Sequence, residues 1–204
     1  TDTPPDRRIV HRMEKYGHAV DAGAAAFVFA NHIPGQLPPT GSLRFDEGGA
    51  VPGIGVSYET GEWLRRYADR DGVVRVSVDA TSDESETPVV HGSLGPDTDE
   101  EVVVLAHLDA HDVGEGALDN GCGVAVVVGV ARALSELDLG CRVRVAAVGG
   151  EEVGLIGSHG LADELDTGSV RAVVNVDGAG RHRDLVAFSH GSDDLAALAE
   201  ELAE

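Results

Sequence analysis

The chain is 204 residues long and carries 36 acidic against 15 basic residues, for a formal net charge of −21. A surface that acidic repels nucleic acid and anionic lipid, so neither is expected as a partner. With 42% hydrophobic residues there is apolar mass for one good core or two modest ones, and no apolar run approaches the ~20 residues that a membrane-spanning helix needs.

Lys15 is the only lysine, so arginine carries nearly all the positive charge. An acid excess with so little lysine resembles the proteins of salt-loving organisms, where high salt screens the repulsion among carboxylates. Two cysteines, Cys122 and Cys141, are too few for a disulfide framework or a thiolate zinc site. The chain opens at Thr1 with neither an initiator methionine nor a charged-then-apolar leader. The true N-terminus is therefore expected upstream, a cytoplasmic location is favoured, and export stays open.

In chain order, "GAAAFVFANH" carries a short buried strand over Ala24–Ala30, followed by the turn-rich stretch "IPGQLPPTGSLRFDEGGAVPG". "IGVS" reads as a second strand, and "YETGEWLRRYAD" as a helix with Trp63, Leu64 and Tyr67 on one face. "VVRVSVDA" alternates like a half-buried strand. The acidic stretch "TSDESETP", Thr81–Pro88, has no periodicity and suggests a boundary between a first domain, residues 1–84, and a second, residues 85–204.

From Val89 onward strands alternate with helices: "VVHGSL", "EVVVLAH", a helix over Gly123–Leu134, "RVRVAAVGG", a helix around Leu155–Leu165, "VRAVVNVDG", "DLVAFSH", and a last helix over Asp193–Ala203. Val/Ala/Leu strands separated by amphipathic helices predict an α/β domain. Its sheet is expected to be mostly parallel, with helices on both faces.

Ligands of open α/β sheets gather at the carboxyl ends of the strands. Here "EVVVLA" runs into His107 and Asp109, "VRVAAVGG" into Glu151 and Glu152, and "AVVNV" into Asp177, while Asp119 sits in the glycine-rich "GALDNGCG" before a helix. Singly, each has an ordinary explanation: a hydrogen-bonded His/Asp pair, a solvated helix start, a turn. Together, one imidazole and several carboxylates at successive strand ends make a nitrogen and oxygen ligand set suited to Zn²⁺, Mn²⁺ or Co²⁺. A pair of divalent cations also relieves the repulsion among the carboxylates. His111 and Asp112 lie past the strand end and are expected at the rim. Cys122 is expected to pack at a helix start.

The segments "AHLDAHD", "GALDNGCGVA", "VGGEEVGLIGS" and "VVNVDG", all lying between Val102 and Gly178, resemble in that order the co-catalytic zinc aminopeptidases of metallopeptidase family twenty-eight. The resemblance implies a three-layer zinc-peptidase fold, two zinc ions and peptide substrates. It also implies roles: His107 and Asp177 on one metal, Glu152 on the other, Asp119 bridging both, Glu151 as general base, and Asp109 orienting the His107 ring. A cis peptide at Asp119–Asn120 is expected on the same basis.

"AVDAGAAAFVFANH" and "VPGIGVSYETGEWL" resemble the second half of a protease-associated domain, an α+β module inserted in such peptidases. The family's fifth ligand is a histidine further downstream. His182 and His190 lie too close behind Asp177 to match it, so the chain is expected to be an internal piece of a longer enzyme, with that histidine beyond Glu204. A single-zinc cyclase or other amidohydrolase of the same fold, or a non-catalytic peptidase-like module, are the competing expectations.

Overall fold

The structure, a computed structural model, describes residues 10–43, 49–81, 83–111, 114–180 and 186–203. Asp112 and His182 lie outside the described residues. The chain forms two compact units that interleave along the sequence. One comprises residues 1–90, 108–115 and 148–168; the other comprises residues 91–107, 116–147 and 169–204.

The first unit begins with helix α1 (Arg12–Asp21), strand β1 (Phe27–Ala30), strand β2 (Gly53–Val56) and helix α2 (Tyr58–Ala68). β1 and β2 pair in parallel, Phe27 opposite Gly53 through Ala30 opposite Val56. Tyr16 of α1 is the buried anchor. Its ring meets Phe27 edge-on at 5.5 Å, and its hydroxyl donates to the Val51 carbonyl at 2.9 Å and accepts from the Val51 N–H at 3.0 Å. The phenol therefore buries apolar surface while its oxygen stays satisfied.

α2 starts at Ser57, whose hydroxyl accepts the Thr60 N–H at 3.2 Å and caps the helix. Glu59, in the first turn, accepts the Gly35 N–H at 2.8 Å, and that bond holds its carboxyl below the ordinary range. Gly61 lies so close to Ala30 that a side chain there would overlap it. Trp63 and Tyr67 do share a face, as their spacing predicts. They stack on each other at 6.4 Å and stay more than half exposed, with the Arg66 guanidinium 5.2 Å from the Trp63 ring.

Two predicted strands are not strands among the described residues. "VVRVSVDA" is irregular, with Val73, Val74 and Val78 exposed. In the stretch "DLVAFSH", the described residues 186–190 are irregular, and Val186 and Phe188 are exposed. Alternation specifies which face a strand would bury, but a strand also needs a neighbouring backbone to complete its ladder. Among the described residues neither stretch pairs with one.

The second unit is organised by strands β3 (Val89–Leu94), β4 (Glu101–His107), β5 (Arg142–Val148) and β6 (Val170–Asn175), in the sheet order β3-β5-β4-β6. Helix α3 (Cys122–Leu134) joins β4 to β5 and α5 (Asp193–Ala203) ends the described chain, while helix α4 (Ile156–Glu164), which lies between β5 and β6 in the sequence, belongs to the first unit. The core forms where Val104 and Ala106 of β4, Val143 of β5 and Val127 of α3 meet, flanked by Val102, Val124, Val130 and Val145. Buried Val103 lies on the other side of β4, so this central strand is covered on both faces and reads as a continuous apolar run.

The stretch Ala117–Leu134 is long and apolar enough, by residue count alone, to cross a membrane. Asp119 and Asn120 have non-helical backbone angles, and regular helix begins only at Cys122. The 13 residues of α3 rise about 20 Å, short of the roughly 30 Å of a bilayer core.

Candidate metal centre

From β4 the chain passes through α3 to β5 on one side, and then through α4 to β6 on the other. The end of β4 is thus a switch point of the sheet, where a crevice opens. His107 is the last residue of that strand and is only 2% exposed.

β6 runs parallel to β4, with Val102 opposite Ala172 through Leu105 opposite Asn175. Continued two residues further, this register sets Asp177 against His107. A one-residue irregularity between Glu101 and Val102 establishes it, since Glu101 pairs with Val170. Without that bulge Val176 would face His107, and the carboxylate would point to the other side of the sheet.

The His107 Nε2 lies 3.0 Å from Asp119 Oδ1 and 3.5 Å from Asp177 Oδ1. The ligand-type atoms of the three residues all fall within 4.8 Å of one another. Ligand atoms about 2.1 Å from a tetrahedral ion are roughly 3.4 Å apart, so the spacing and the nitrogen and oxygen chemistry both fit a bound divalent cation.

Asp119 reaches this position through an irregular loop, Ala117–Gly121, entered by Gly116 in the left-handed region at φ 63°. The Asp119–Asn120 peptide is cis, as the resemblance implies. Asn120 is 1% exposed. Its Nδ2 donates to the Val176 carbonyl at 2.8 Å, and its Oδ1 accepts the N–H groups of Gly123 at 3.1 Å and Gly178 at 3.3 Å. One amide thus ties the loop of Asp119 to the strand end that carries Asp177. A side chain at Gly123 would overlap the Asn120 amide oxygen, so α3 can begin here only with glycine in that place. The sequence pattern points to Asp119, but it gives Asn120 no role beyond the expected cis peptide. Two of its three partners lie 56 and 58 residues away, and no local pattern announces them.

In the other unit, Asp109 accepts the backbone N–H of Glu151 at 3.1 Å and of Glu152 at 3.2 Å, one on each carboxylate oxygen. This clamp is a role the sequence did not suggest for Asp109. The two glutamates follow Gly149 and Gly150, and both positions require glycine. A side chain at Gly149 would overlap the Thr87 hydroxyl, and Gly150 has φ 73°. The N–H groups of Gly154 and Leu155 then turn back onto the Glu151 carbonyl at 3.0 Å. Adjacent carboxylates therefore leave a sharply folded, fixed backbone.

His111 Nε2 stands 3.7 Å from Glu152 Oε2, and its Nδ1 is 2.9 Å from the Thr40 hydroxyl. The Cys122 thiol donates to the Leu118 carbonyl at 2.7 Å, which fits its expected place at the helix start. His190 lies exposed in the turn before α5. The predicted site residues thus fall into two groups: His107, Asp119 and Asp177 in one unit, and Asp109, Glu151 and Glu152 in the other.

A model described as peptidase family M28 matches residues 89–204, and a PA domain model matches residues 6–64. Leucine aminopeptidase 2 of Trichophyton equinum is 35% identical over 156 residues, which is 75% of this chain and 31% of that protein. Aminopeptidase YwaD of Bacillus subtilis (strain 168) is 31% identical over 157 residues, 74% of this chain and 33% of that protein. Among solved structures, the zinc aminopeptidase BSAP from Bacillus subtilis superposes with a TM-score of 0.62 at 27% identity, covering 84% of this chain and 42% of its own. An aminopeptidase from Aneurinibacillus sp. strain AM-1 gives 0.61 at 26% identity, with 84% and 44% covered. The chain spans about a third of the length of the curated relatives it matches.

Proposed function

Because this chain belongs to peptidase family M28, we propose that the full protein is a metal-dependent aminopeptidase that removes N-terminal residues from peptides and uses two divalent ions, zinc foremost. The observation that carries this reading is the His107 imidazole nitrogen with the Asp119 and Asp177 oxygens 3.0 and 3.5 Å away, at the switch point of the sheet. His107 and Asp177 would hold one ion, Glu152 the other, and Asp119 both.

When bound, the ions supply Lewis acidity and draw the pKa of a water toward neutrality. Glu151 is the general base in this proposal. Its carboxylate takes the proton of the water as the water oxygen bonds to the peptide carbonyl carbon, and it returns that proton to the nitrogen as the C–N bond breaks. Asp109 fixes the main chain that carries Glu151 and Glu152, and in this proposal it would also orient the His107 ring.

Glu151→Gln in the full-length protein is the test, with aminoacyl-amide hydrolysis followed at high salt and metal content measured in parallel. The expected result is a loss of turnover of about a hundred- to ten-thousand-fold, the usual contribution of a positioned acid–base group, with metal content unchanged. Loss of metal in that variant would make Glu151 a ligand instead. One ion per wild-type chain and no aminoacyl release would replace the aminopeptidase with a single-zinc cyclase or amidohydrolase.

A further inference from the structure

Thr40 lies in the stretch matched by the PA domain, yet its hydroxyl is 2.9 Å from Nδ1 of His111, a residue of the peptidase match. On the far side of the ring, Nε2 faces Glu152 Oε2 at 3.7 Å. We propose that Thr40 and His111 form a brace that fixes the Glu152 carboxylate, so that a hydroxyl in the PA-matched stretch sets the affinity of Glu152 for its ion. This rests on the reading of Glu152 as a metal ligand.

The tautomer follows from the two neighbours. A carboxylate accepts and cannot donate, so the ring is favourable toward Glu152 only with the hydrogen on Nε2. Nδ1 then carries the lone pair and accepts from the Thr40 hydroxyl, which can donate by rotating. The Nδ1 end is thereby hydrogen-bonded, and the Glu152 oxygen, 3.7 Å from Nε2, faces a positioned N–H at electrostatic range. Glu152 is 17% exposed and the His111 side chain 33%, so the interaction is partly shielded from water. An N–H aimed at a partly buried ligand carboxylate is the arrangement that orients ligating groups in metal sites.

The hydroxyl is itself held in place, because the loop that carries it is fastened on both sides of Thr40. The Gly35 N–H donates to Glu59 at 2.8 Å and the Leu37 carbonyl accepts from Asn31 Nδ2 at 2.8 Å. The Pro39 carbonyl packs so closely on Gly55 of β2 that any side chain there would overlap it. The Ser42 carbonyl accepts from Arg12 Nε at 2.9 Å. A loop with such attachments presents its hydroxyl with little ordering left to lose, which is what a positioning contact requires.

The test is the Zn²⁺ affinity of the full-length protein, measured by competition with a chromophoric chelator, for Glu152→Gln, His111→Ala, Thr40→Val, Thr40→Ser and the double variant Thr40→Val/His111→Ala. Thr40 is exposed and Val has nearly its shape, so Thr40→Val leaves folding intact. Expected is a roughly tenfold weakening in Thr40→Val and in His111→Ala, the lower end of what loss of such a partner costs. Thr40→Ser should restore wild-type affinity. The double variant should be no weaker than His111→Ala, because Thr40 acts through the ring. Wild-type affinity in Thr40→Val and His111→Ala, alongside loss of an ion in Glu152→Gln, would overturn the brace alone. Unchanged affinity in Glu152→Gln would overturn the ligand reading beneath it. Stoichiometric loss of an ion in His111→Ala would make His111 a ligand and not a brace.

Discussion

Asn120 is the residue on which the candidate centre most depends without supplying a ligand. Its amide serves Val176, Gly123 and Gly178 at once and is buried. Asn120→Leu would keep the branching but leave a carbonyl and two N–H groups without that partner. The expected cost is about 2–3 kcal/mol, read as a lower urea midpoint, together with weaker Zn²⁺ binding because Asp119 and Asp177 lose their common tie. A variant that unfolds like the wild type would show that water replaces the amide. His107, Asp119 and Asp177 were legible from the sequence, because ionisable residues at the ends of Val-rich strands have few other reasons to occur together. The amide that holds them was not, since an Asn before Gly looks like a turn wherever it stands. Likewise Asp109 reads as a neighbour of His107, while the structure places two glutamate N–H groups on it from 42 and 43 residues away.

Strands β3 to β6 and helices α3 to α5 follow the sequence pattern closely, because each meets a neighbour that completes it, whereas the described residues 186–190 of "DLVAFSH" do not. "VVRVSVDA" carries a strand period and stays irregular, so pattern without a partner is insufficient. What no pattern reveals is the bulge at Glu101, on which the match of His107 to Asp177 depends. Glu101 is 3% exposed and pairs with Arg144 of β5, through Nε at 3.1 Å and Nη2 at 3.3 Å. The same guanidinium reaches His91 of β3 at 3.2 Å. A buried carboxylate at the irregular position is thus held by a cation two strands deep. Breaking the pair with Arg144→Met should cost roughly 3–5 kcal/mol, because Glu101 would remain buried and uncompensated. The double replacement Glu101→Leu/Arg144→Met should recover much of that loss. Denaturant melts of the three proteins measure both. If Arg144→Met is neutral, the ion pair does not secure the strand start.

A net charge of −21 on 204 residues makes the folded chain repel itself wherever salt is scarce. The midpoint of thermal unfolding should therefore climb as KCl rises from about 0.1 M to 1 M, over which the screening length falls from about 10 to 3 Å. A flat melting curve across that range would show that the carboxylates are compensated locally.

The interleaving of the two units has a consequence for synthesis. The first unit draws on residues 1–90, 108–115 and 148–168, and the second resumes at residue 169. On the ribosome, where chains emerge from the N-terminus and domains usually fold in order, neither unit can close early. The first must wait for residue 168, with β4 and α3 of the second already outside the exit tunnel. For that interval the buried faces of β4 and α3 have no finished core to enter. An acidic chain gains there from the repulsion that costs it stability once folded, because like charges keep unfinished neighbours on a polysome apart.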